Sequence, residues 1–135
     1  MLPSGLPDII TDEEDLARFL TSSSHFNSEM VKAAAFMPSA KARETSVFRH
    51  GSEPRDTLWE IGAGCVAGDR KLYGAAIVKA RDVRAALLDA IAEEPPPRHA
   101  AIRGWPWIEE DPEGQRAQQK ELALVIASNA AHLRR

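Results

Sequence analysis

The chain has 135 residues, 44% of them hydrophobic and 27% charged, with a formal net charge of −3 and one cysteine. That length suits one domain with its own hydrophobic core, and the balance of apolar and charged residues excludes a largely disordered chain and a uniformly basic nucleic-acid binder. No apolar run approaches the ~20 residues that cross a bilayer, the start Met1-Leu2-Pro3-Ser4-Gly5 lacks the basic and apolar blocks of a secretory leader, and one cysteine leaves no internal disulfide framework.

These features lead us to expect a cytoplasmic protein with no membrane partner. The abundance of Ala and Arg suits a GC-rich bacterial coding sequence.

Residues 1–10 read as a flexible tail containing two prolines, which leaves 11–135 as a single α+β domain. Thr11 followed by Glu14 is a capping-box pattern. Leu16, Phe19 and Leu20 then recur at helical spacing, which predicts a helix over residues 12–20 with an acidic first turn that suits the helix dipole. Thr21-Ser22-Ser23-Ser24 ends it. Residues 29–37 carry mixed signals, helix from Ala, Glu, Met and Lys, strand from Val31 and Phe36. Pro38 to Lys41 is a turn. Thr45 to Arg49 predicts a strand stopped by Gly51, with Val47 and Arg49 on one face and Phe48 on the other.

Ser52-Glu53-Pro54 opens a second helix. Its stripe is Leu58, Ile61, Gly62, Cys65 and Val66, closed by Gly68, and it predicts a buried, inert Cys65. Leu72 to Lys79 reads as a buried strand, Arg81 to Leu88 as a short helix with Val83 and Leu87 inward, and residues 88–92 as either its extension or a strand. Pro95 to Pro97 stops that element. Residues 113–133 predict a long C-terminal helix with Leu122, Val125, Ile126, Asn129, Ala130 and Leu133 along one face. His132 then falls near its end, where the dipole favours an imidazolium. The expected fold is α+β: a short sheet of about two to four strands packed against amphipathic helices, including the long C-terminal one.

Chemistry-bearing motifs are sparse. The chain has no Gly-rich phosphate loop, no GxSxG elbow and no HExxH. No two of His25, His50, His99 and His132 lie three or four residues apart, so neither a metal nor a cofactor is expected. His50 and His99 are the catalytic candidates, because each adjoins an arginine at the edge of a regular element. Arg43, Arg49, His50, Arg55, Arg98, His99 and Arg103 would make an anion site if the 45–50 strand came beside residues 98–103, since Arg offers a planar fork of donors and His a proton near neutral pH. The competing expectation is that these arginines pair with the acidic blocks at 12–15, 93–94 and 109–113.

Trp105-Pro106-Trp107, preceded by Gly104, is either a core corner or a partner anchor, and at least one ring is expected in the core. The binding candidates are therefore Arg49, Arg98, Arg103, Trp105 and Trp107. The resulting expectation is a small soluble non-catalytic module that acts with a partner protein. The alternative is a small metal-independent His/Arg enzyme, nuclease-like or nucleotide-binding, or a binder of phosphate-containing ligands. The negative net charge disfavours nucleic acid as a partner.

Overall fold

A computed structural model describes residues 1–51, 53–66 and 68–135. In chain order the elements are β1 (Asp15–Leu20), β2 (Thr45–His50), α1 (Arg55–Cys65), β3 (Gly74–Lys79), α2 (Ala80–Ala85), β4 (Asp89–Ala92), β5 (His99–Arg103), α3 (Pro112–Ser128) and β6 (Ala131–Arg134), with single 3-10 turns at Ser23–His25 and Ala33–Ala35. Ser52, which the sequence places at the entrance of α1, lies outside the described residues. The strands form one antiparallel sheet in the order β4-β5-β2-β1-β3-β6. The class is α+β, but six strands replace the short sheet of two to four expected from sequence.

Three local misreadings account for the difference. The first is β1, expected as a helix. It is a central strand between β2 and β3, and both of its faces are covered by packed layers: Leu16 and Leu20 on one, Ala17 and Phe19 on the other. A strand apolar on both sides imitates a helical stripe when only three large residues mark it. The capping chemistry is real but local. Thr11 N–H donates to Glu14 Oε2 at 2.9 Å and Glu14 N–H to the Thr11 carbonyl at 3.1 Å, which closes a turn ahead of the strand.

The second is β5, alanine-rich and without a β-forming signature; pairing on both sides, with β2 and β4, makes it a strand. The third is the C-terminus. Helix α3 stops at Ser128, and residues 131–134 return as the edge strand β6 against β3. Gly74 permits this close pairing, because a Cβ there would stand 2.4 Å from the Leu133 carbonyl oxygen.

The sheet is covered on both faces. One face packs Ala17, Phe19, Phe48 and Ala75 under Leu58 of α1, with Leu72 beside them. The other packs Leu16, Leu20, Val47, Val78, Ala100 and Ile102 under α3, α2 and the Ala33–Ala35 turn, with Trp105 joining this core. The alternation expected of β2 holds, with Val47 in one core and Phe48 in the other. Cys65, expected buried, is exposed at the last turn of α1, and Val125 of the α3 stripe is also exposed.

Gly62 sets how closely α1 approaches the sheet. A Cβ there would lie 2.7 Å from the Phe19 ring and 2.8 Å from Leu72 Cδ2. Alanine in a helix interior gains roughly 1 kcal/mol over glycine, while overpacking a core costs roughly 1–3 kcal/mol. With two buried side chains in the way, the second term wins. Gly62→Ala is expected to lower the urea midpoint despite its better helix propensity, and an unchanged or higher midpoint would show that α1 can lift away freely.

Candidate functional site

The 45–50 strand and the 98–103 segment do come together. Phe48 pairs with His99 across β2 and β5, and Arg49 N–H donates to the Arg98 carbonyl at 2.8 Å. Pleating places Ser46, Phe48 and His50 on the α1 face together with His99, Ala101 and Arg103, and sends Arg49 to the opposite face. At the end of the sheet the two faces meet in a cleft of about 380 Å³ lined by Leu6, Glu14, Asp15, Arg49, His50 and Arg98, among others.

Each arginine that the sequence singled out as a binding residue carries a carboxylate partner, Arg49 and Arg98 in this cleft and Arg103 outside it. The Arg49 side chain is 1% exposed. Its Nε donates to Glu14 Oε1 at 2.8 Å, its Nη2 to Glu14 Oε2 at 3.0 Å and its Nη1 to the Pro7 carbonyl at 2.6 Å. Arg98 donates from Nη2 to Glu53 Oε2 at 2.8 Å and from Nε to the Arg49 carbonyl at 2.9 Å. Arg103 pairs with Glu44 and Glu93. The forks that would grip a phosphate are filled from within the chain.

Glu53 is the hub of this end. It also accepts from Gly51 N–H at 2.8 Å and bonds His50 Nδ1 at 2.6 Å. Burial pushes its carboxyl up, but the Gly51 N–H, His50 and Arg98 together hold it below the usual carboxylate range. Glu94 is held down in the same way against burial, by Ser4 and the Arg98 N–H. Through Ser4, the Pro7 carbonyl and buried Ile10, the first ten residues are tied to the β4–β5 connection, β2 and the core.

A second cluster occupies the α1 face of β2, β5 and β4. Ser46 Oγ lies 2.6 Å from His99 Nε2, and His99 Nδ1 lies 2.8 Å from the Glu93 carbonyl oxygen and 3.6 Å from its carboxylate. Arg103 stands opposite Asp89 in register, yet its guanidinium reaches Glu93 four residues further along. The side chain therefore crosses Ala101, which is fully buried. Glu44 is pushed up by burial and by its contact with Glu93, against the pull of Arg103.

The remaining candidates separate. Trp105 is buried and donates from Nε1 to the Ile102 carbonyl at 3.0 Å, so it is a core residue. Trp107 is half-buried, with the Arg43 guanidinium 5.0 Å from its ring centroid. His132 is not at a helix end but in β6, against Phe26 at 4.9 Å. Its buried Nε2 has no partner, and burial lowers rather than raises its pKa. His25 likewise has a buried, unpartnered Nδ1 and is pushed down by burial and by Arg18 and Arg70.

Sequence reading missed Ser46, Glu53 and Glu93 as partners of the histidines. Spacing gives no signal for them, because each contact except His50–Glu53 joins different strands. Glu14 was visible only as a capping residue. Among the described residues no three His, Cys, Asp or Glu side chains gather to hold a metal ion, and no helix is long and apolar enough to cross a membrane. No family model, curated protein or solved structure matches the chain.

Two substitutions test this electrostatic frame. Arg49→Ala strands Glu14 and the Pro7 carbonyl; it is expected to cost about 3 kcal/mol, at the low end for a broken buried pair because Glu14 keeps some water. Urea unfolding checks this, and a loss below about 1 kcal/mol would show the pair to be dispensable. Glu53, with its folded pKa depressed, contributes stability that is complete above the unfolded carboxylate range and is lost as pH falls through the folded value. Glu53→Gln is therefore expected to be less stable than the parent at pH 7, with the gap closing below about pH 4. A gap constant with pH would refute that role.

Proposed function

We propose that the protein is a docking module that binds a partner protein through the β4 side of its sheet, with Leu87 as anchor. The observation that carries this reading is the way α2 ends. Leu87 N–H donates to the Arg84 carbonyl at 3.0 Å and Leu88 N–H to the Val83 carbonyl at 3.3 Å. This two-bond helix stop needs a left-handed residue and favours glycine. A leucine stands there instead, at φ 64°. Its side chain is 90% exposed.

Leucine in that conformation costs roughly 1–2 kcal/mol and covers nothing in this chain. Exposure at a strained position is what a contact residue for a second molecule would show.

The surroundings support the reading. Leu87 lines a shallow depression of about 640 Å³ with Arg84, Leu88, Asp89, Ile91 and Arg103. Ile91 is 39% exposed and Ile9, across a small neighbouring groove, 74%. An aliphatic centre with a charged rim is the usual anatomy of a protein interface.

The edge strand itself is blunted. Ala90 N–H is taken by Asp89 Oδ1 at 2.8 Å, and the Ala90 carbonyl faces Arg84 Nη2 at 3.4 Å. Side-chain docking is therefore favoured over addition of a strand. The lone cysteine fits a reducing, cytoplasmic setting.

Leu87→Gly separates stability from binding. It is expected to raise Tm by about 4 °C, the shift that ~1 kcal/mol gives a domain of this size. Proteins that co-purify with the parent should at the same time be lost. Sedimentation of the parent alone tests whether the partner is a second copy. A Leu87→Gly variant that melts lower, or that captures the same partners, would sink the proposal.

A further inference from the structure

The Ser46–His99 pair has the geometry of an activated nucleophile. The Glu93 carbonyl can only accept, so the 2.8 Å contact places the imidazole proton on Nδ1. Nε2 is then left as an acceptor, facing the Ser46 hydroxyl at 2.6 Å. The ring is held on a third side by the edge of Phe48, with centroids 5.2 Å apart at 71°. A hydroxyl on a base whose other nitrogen is fixed by a third group is the arrangement that turns serine into a nucleophile. Ser46 is half-buried. Across the strands, Ser46 faces Ala101, whose side chain is a single methyl group.

We propose that Ser46 and His99 form an acyl-accepting nucleophile–base pair for small esters. The inference goes beyond the docking reading and rests on none of it. Ser46 Oγ bonds the ester carbonyl carbon as its proton passes to His99 Nε2. The C–O bond to the leaving alcohol breaks, and His99 returns the proton to that alcohol. Water then cleaves the acyl-serine by the same route, giving the acid and restoring the hydroxyl. Glu93 acts as a positioning residue: its carbonyl holds the imidazole, and its carboxylate pairs with Arg103.

The test is labelling of the intact chain with a fluorophosphonate, read by mass and peptide mapping, beside hydrolysis of p-nitrophenyl acetate. The expected result is one adduct, on Ser46, absent in Ser46→Ala. His99→Gln should slow labelling at least ~100-fold, the usual contribution of a general base. Glu93→Gln should shift the pH profile of labelling while Ser46 remains the site. A cooperatively melting protein with no adduct on Ser46, or hydrolysis equal in Ser46→Ala, overturns the proposal and leaves the pair a structural hydrogen bond. If His99→Gln does not fold, the comparison of the parent with Ser46→Ala decides alone.

Discussion

One buried guanidinium organises the working end of this molecule. Arg49 is among the largest fully buried side chains, and a charge taken out of water persists only if it is paired and fully hydrogen-bonded. Glu14 and the Pro7 carbonyl meet that demand. In doing so they draw the turn before β1 and the first residues of the chain onto β2. The Arg49 backbone is engaged as well, with its N–H on the Arg98 carbonyl and its carbonyl on Arg98 Nε. The same residue thus fastens β5 to β2 where His50, Glu53 and Arg98 meet.

Glu14, Glu53, Glu44 and Glu93 occupy donors of Arg49, Arg98 and Arg103 of the kind that phosphate recognition uses. Two other groups differ in kind: the exposed aliphatic side chains of Leu87, Ile91 and Ile9 near the β4 edge, and a part-buried serine–histidine pair on the sheet face. The first suits contact with a protein surface and the second suits proton transfer. They lie on the same side of the sheet order, toward β4, and share Arg103 as a neighbour.

The legibility of the fold varied with the source of each element's stability. Helix α1 and strand β2 were readable because a one-sided stripe and a β-branched run are local signals. Strand β1 was not, because its two buried faces come from layers that the local window does not contain. Strand β5 was hidden by its alanines, which carry little preference and become a strand through neighbours on both sides. The site was legible in its residue types, with His50, His99, Arg49, Arg98 and Arg103 converging on two adjacent strands. Their partners were not, because Glu14, Ser46 and Glu93 reach them across strands.

The sequence by itself determined the α+β class, the amphipathic face of α1, the start of α3 and the burial of at least one tryptophan. Each follows from periodicity or from the conformational limits of Pro and Gly, which act over a few residues. Tertiary structure alone decided the size of the sheet, the end of α3, the exposure of Cys65 and Leu87, and whether His50 and His99 stand among cations or carboxylates. Those outcomes depend on which strands lie side by side. Strand pairing is a competition among distant segments for buried area and backbone hydrogen bonds, and no local window records its winner.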